Sequence, residues 1–144
     1  MPQSQFSTFT VHGHLFGVQV EAVQEVIRYQ VLTRVPLAPP SVGGLMNLRG
    51  QVITAVDLRC RLGFPTREGD DLPMNVVVRT EEGAVTLLVD KIGDVVDVSL
   101  DSYEPIPDTL LGTAAELIKG AYKLQGQLLL ELNVARAVEV SVPA

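Results

Sequence analysis

Chemistry in this 144-residue chain would have to come from few side chains: His12 and His14, Cys60 between Arg59 and Arg61, the acidic residues Glu68, Asp70 and Asp71, and the charges Glu25 and Arg49. His12 and His14 are two apart, so on a strand they share a face and could reach one metal ion. Zinc takes three or four protein ligands, and no cysteine or acidic cluster adjoins them, so a turn with two solvated histidines is expected. The arginines around Cys60 would depress a thiol pKa. A nucleophile also needs a base and an oxyanion site, and neither is recognisable, so Cys60 is expected to be a small buried residue. The acidic residues lack the alternating ligands and closing glutamate of a calcium loop. Gly43-Gly44 lacks the Gly-Lys-Ser/Thr ending of a phosphate loop, and Ser41, Ser99 and Ser102 lack a nucleophile elbow. No catalytic, metal or cofactor residue is therefore assigned.

Glu25 and Arg49 remain. Each lies beside apolar strand residues, and an arginine fork can bind a carboxylate bidentately. Two readings stand: an ordinary surface ion pair, or a pair that fixes the geometry of a recognition face.

Composition narrows the class. The net charge of −6 argues against nucleic acid as a partner, and 5% aromatic content with no Trp leaves few stacking platforms. One cysteine excludes an internal disulfide and fits a reducing, cytoplasmic compartment. No apolar run approaches the roughly 18 residues of a membrane span, and no basic-then-apolar leader follows Met1, so neither membrane insertion nor secretion is expected. With 47% hydrophobic residues, the apolar surplus must fill a core or lie open as a partner patch.

The elements that must carry these residues are short and alternating. Segments 6–11 and 15–20 flank Gly13 as a hairpin; 45–48 and 52–57 turn at Arg49-Gly50; 75–79 and 84–89 flank Glu81-Glu82-Gly83; 118–124 and 127–132 flank Gly126. Apolar residues at 20, 23, 26 and 27 predict a short helix feeding a strand over 25–33. Residues 57–62 predict one helical turn, 95–100 a strand, 102–111 a loop, 65–73 a mobile charged loop, and Asn133 the cap of a short C-terminal helix. Nine or ten strands with turns at this spacing read as a mainly β chain of two small barrels; no long crossover helix supports a parallel α/β sheet. The four glycine turns hint at a duplicated plan. The chain is expected to be one domain, 1–144, with one subdomain at 16–75 and the other at 1–15 plus 76–144.

Four stretches fall in order and at suitable spacing: Val23-Gln24-Glu25-Val26, Thr33-Arg34-Val35-Pro36, Gly44-Leu45-Met46-Asn47-Leu48-Arg49-Gly50 and Val56-Asp57-Leu58-Arg59. Leu88-Val89-Asp90 followed by Val95, and Ile118-Lys119-Gly120, also fit. Together they resemble the CheW family of bacterial chemotaxis coupling proteins, from about residue 6 to 138. The resemblance implies two SH3-like five-stranded β-barrel subdomains packed side by side, with short helices, no enzymatic activity and no cofactor.

It also implies a scaffold joining the cytoplasmic hairpin of methyl-accepting chemoreceptors to the regulatory domain of a CheA-type histidine kinase, cytoplasmic and tied to membrane-bound receptor arrays through its partners. A coupler of a sister pathway for pilus or gliding motility is the alternative within the family. A small-barrel enzyme using Cys60 is the alternative outside it. By position, Val23, Glu25, Gly44, Val76, Thr86 and Val95 match receptor-coupling residues, and Arg49 matches the signature arginine with Glu25 as its expected partner. Two departures stand out: Thr54, where many members have proline, and Thr86, where glycine is commoner. The first is expected to affect an edge strand by restoring a ladder N–H.

Overall fold

The computed structural model describes residues 3–67, 71–106 and 112–139. Each hairpin forms where glycine permits the turn. In two of them the two-residue loop has both residues at positive φ, His12 and Gly13 (49° and 79°) and Arg49 and Gly50 (51° and 86°), the geometry whose twist matches antiparallel strands.

The described residues contain eleven strands in two sheets. One has the order β8-β1-β2-β11-β10-β9, built from β1 (Gln3–Val11), β2 (His14–Gln19), β8 (Lys91–Ser99), β9 (Tyr103–Glu104), β10 (Ile118–Leu124) and β11 (Gln127–Leu132). The other has the order β3-β6-β7-β5-β4, from β3 (Val23–Ile27), β4 (Val42–Leu48), β5 (Gln51–Asp57), β6 (Met74–Thr80) and β7 (Gly83–Val89).

The two sheets follow one plan, as the four glycine turns hinted. In each, the second strands of two hairpins pair in parallel, β5 with β7 and β11 with β2. A bent segment then spans the open edges. Residues 23–33 pair with β6 through β3, then with β4 through the Thr33–Leu45 bridge. Likewise β8 pairs with β1 and, past the 3₁₀ turn Leu100–Ser102, β9 pairs with β10. Counting each bent segment once, both units are five-stranded barrels. Their chain order is permuted, because the hairpin β1–β2 belongs to the barrel completed by β8–β11.

Sheet membership therefore divides the strands at other points than 16 and 75: β2 lies with β1, and β6–β7 lie with β3–β5. Three local expectations change as well. No α-helix forms over 20–26; a 3₁₀ turn, Val20–Ala22, leads into β3, and a bulge between Val23 and Glu25 puts Val23 and Val26 on one face, opposite Val78 and Val76. That three-residue interval mimicked a helical period. The strand β9 lies within the expected 102–111 loop, of which 107–111 are outside the described residues. Thr54 is not at an edge: β5 runs between β4 and β7.

The principal core lies between the barrels. Phe9, Val11, Phe16 and Val18 from one sheet meet Val56, Val76, Val78, Leu87 and Val89 from the other. Smaller clusters fill each barrel, around Phe6, Val98, Tyr122 and Leu129 in one and Met46, Leu48, Ile53 and Val77 in the other. Two expected helical turns form: α1 (Leu58–Arg61), capped by Asp57 Oδ1 accepting from Arg59 N at 3.0 Å, and α3 (Val134–Ala137), capped by Asn133 Oδ1 accepting from Arg136 N at 3.2 Å. A further turn, α2 (Thr113–Glu116), precedes β10.

Candidate functional site

Glu25 and Arg49 come together. The guanidinium donates two parallel hydrogen bonds at 2.5 Å, Nη1 to Oε2 and Nη2 to Oε1, so the pair is bidentate. Glu25 is on β3 and Arg49 at the β4–β5 turn, and β3 and β4 are the two edge strands of their sheet. The pair therefore clasps the barrel across the seam where the ladder is interrupted. The carboxyl of Glu25 is held below its ordinary pKa, first by the Arg49 hydrogen bond and then by that residue's charge, with partial desolvation opposing. Asn47 Oδ1 accepts from Gly50 N at 2.9 Å and braces the turn that presents Arg49.

A row of directly paired positions runs from this clasp across the sheet: Glu25, Val77, Thr86, Ala55 and Gly44. The nominated residues are placed unequally on it. Thr86 is fully buried, its hydroxyl donating to Asn75 Oδ1 at 2.8 Å, so threonine fills the place of the commoner glycine with its polar group satisfied. Gly44 is buried at φ 144°, and a Cβ there would lie 2.7 Å from the Thr33 carbonyl oxygen. Val76 belongs to the principal core, 1% exposed. All three are buried beneath the surface. Val23 is half-buried, while Val95 is 57% exposed on β8 of the other sheet. The fold gathers Val23, Glu25, Gly44, Arg49, Val76 and Thr86 in one barrel and leaves Val95 apart.

Between the barrels lies an open groove of about 1010 Å³. The second-barrel wall is Ala22 and the β6–β7 turn with Arg79, Glu81 and Glu82; the opposite wall is α3 and its end, with Val134, Ala135, Val138 and Glu139. Arg79 is turned inward onto the Glu21 and Val23 carbonyls at 3.2 and 3.4 Å. The groove thus mixes small apolar side chains with the acidic Glu81, Glu82 and Glu139.

The other chemical candidates have structural partners. Burial, then the Asp57 charge, pushes the Cys60 thiol up, opposite to the shift two flanking cations would give. Both cations are engaged elsewhere, Arg59 with Asp90 and Arg61 with the Ala137 and Arg136 carbonyls. The histidines are not simply solvated: ring centroids of His12 and His14 lie 5.0 and 5.3 Å from that of Phe64. Among the described residues no three His, Cys, Asp or Glu side chains are grouped to hold a metal ion. Residues 68–70, which include Glu68 and Asp70, lie outside the described residues. Nearby Arg67, expected in a mobile loop, has a side chain 12% exposed and ion pairs to Asp57 and Asp90. No described helix is long and apolar enough to cross a membrane.

Comparison with known proteins settles the family. The CheW-like domain model matches residues 5–141, nearly the whole chain. The chain belongs to the CheW-like family. It is 29% identical to the chemotaxis protein CheW of Treponema pallidum over 136 residues, covering 92% of this chain and 80% of that protein. It is 31% identical to that of Bacillus subtilis over 121 residues, covering 84% and 78%. The fold matches the crystal structure of the scaffolding protein TtCheW from Thermoanaerobacter tengcongensis, with TM-score 0.84, 24% identity and coverage of 98% and 91%. The relatives are chemotaxis proteins, and the two barrels described above are the SH3-like subdomains of the CheW fold.

Proposed function

We propose that this chain is a non-catalytic coupler that holds the cytoplasmic helical hairpin of a chemoreceptor and the regulatory domain of a CheA-type histidine kinase in one complex, in the cytoplasm beside a receptor-bearing membrane. The observation that carries the reading is the open groove between the barrels. Its small apolar side chains and three glutamates suit an amphipathic helix with basic flanks. In the second barrel the Glu25–Arg49 clasp spans the two edge strands and presents a fixed pair of side chains at the surface.

Contacts of ordinary size, about 800 Å² a side, can be only micromolar, but repetition in an array raises effective concentration. Signalling then requires the two receptor states to fit the groove unequally, since a ligand indifferent to two states shifts neither.

The test is co-sedimentation with receptor cytoplasmic fragments and kinase. Ala135→Glu, which places a charge on the groove wall, and Glu25→Lys, which opens the clasp, are each expected to lower receptor-dependent assembly and kinase stimulation at least tenfold. Both variants assembling and stimulating like the parent would remove this assignment.

A further inference from the structure

The apolar core between the barrels holds them together by a non-directional attraction. Directional contacts add to it, and several converge on one residue at the joint. Asp90 stands between β7 of one barrel and β8 of the other. Toward the first sheet, its N–H donates to the Thr10 carbonyl at 3.0 Å and its Oδ2 accepts from His12 N at 2.8 Å. Toward the second barrel, its carboxylate accepts from Arg59 Nε at 2.9 Å and Nη2 at 2.7 Å. Arg67 Nε lies 3.1 Å away, close enough to pair in charge although its angle falls short of a hydrogen bond.

Arg59 belongs to α1, and the same short helix has a second reach. Arg61 donates from Nε to the Ala137 carbonyl at 3.2 Å and from Nη2 to the Arg136 carbonyl at 2.8 Å, at the end of α3. The helix α3 is a wall of the groove. One turn of helix thus ties the second barrel to the interdomain joint through Arg59 and to the far groove wall through Arg61.

We propose that Asp90, Arg59 and Arg61 form a yoke that sets the angle between the two barrels and, with it, the width of the groove. They are positioning residues, acting on the relative placement of the two barrels. The bearing on receptor binding rests on the groove assignment made above; the yoke does not.

The test is the distance distribution between spin labels in the full chain, with Cys60→Ser removing the native thiol. Labels replace Gln51 in the second barrel and Lys123 in the first, both exposed, and a control pair replaces Gln24 and Gln51 within the second barrel. Asp90→Asn and Arg61→Met are expected to widen the Gln51–Lys123 distribution roughly twofold, as for hinge motion between packed bodies, and to leave Gln24–Gln51 unchanged. Arg61→Met, which leaves the Asp90–Arg59 pair in place, is read alone if Asp90→Asn does not fold. A Gln51–Lys123 distribution as narrow as in the parent, or equal widening of the control pair, overturns the proposal. A wider distribution with undiminished binding of a receptor fragment would sustain the yoke and sink the groove assignment instead.

Discussion

Arg49 sits at φ 51°, a left-handed conformation that costs side chains with a Cβ and favours glycine or asparagine. Its charge, then, is placed at some expense to the turn. Arg49→Asn suits the turn better and removes the guanidinium, so it is expected to melt no lower than the parent while losing receptor-dependent kinase stimulation; thermal denaturation beside the coupling assay separates the two. Gly44 makes the opposite case. Its φ of 144° and the nearby Thr33 carbonyl leave no room for a methyl group, so Gly44→Ala should destabilise by about 1–3 kcal/mol, read from the denaturant midpoint. At Thr86, replacement by valine keeps the volume and strips Asn75 of its donor, a cost of about 1–3 kcal/mol with no change at the surface. Undiminished assembly by folded Thr86→Val would confirm that position 86 acts through the interior.

Among the elements, the hairpins were plain in the sequence because each pairs a glycine turn with flanking alternation, and the two capped turns because Asp57 and Asn133 stand ahead of them. The faces of the strands were not. Val76, Val77 and Val78 are all buried, so periodicity cannot say that Val76 faces the interdomain core and Val77 the barrel interior. The bulge in β3 concealed a strand under a helical interval. The Glu25–Arg49 clasp was legible from residue types and the family motif. The bridging role of Asp90 was not, since its partners Thr10 and Arg59 come from segments far off in sequence and are gathered only by the barrel packing. The departure at Thr54 has a clearer meaning once β5 is known to be central: Thr54→Pro would remove an N–H from inside a sheet and should destabilise, measurable by chemical denaturation.

For the molecule as a whole, the joint at Asp90 predicts a pH dependence. Burial raises the pKa of this carboxyl, but the Arg59 hydrogen bonds, the His12 N–H and the charges of Arg59 and Arg67 outweigh it and leave the pKa below its ordinary value. A depressed carboxylate contributes its stability fully above the unfolded pKa, about 3.9, and loses it as pH falls through the lower folded value. The stability gap between the parent and Asp90→Asn should therefore be constant above about pH 4 and close below it in urea titrations at successive pH. A gap that instead widens on acidification would show that the carboxylate is not stabilised at the joint. The permuted order of the barrels also bears on synthesis. The barrel built from β3–β7 is complete once residue 89 has left the ribosome, whereas β1–β2 must wait for β8 on one side and for β11 on the other, with Phe16 meeting Leu130. The hairpin β1–β2 spends most of translation without its sheet, and a chain released before β11 would carry an intact second barrel and a β2 edge left open to aggregation.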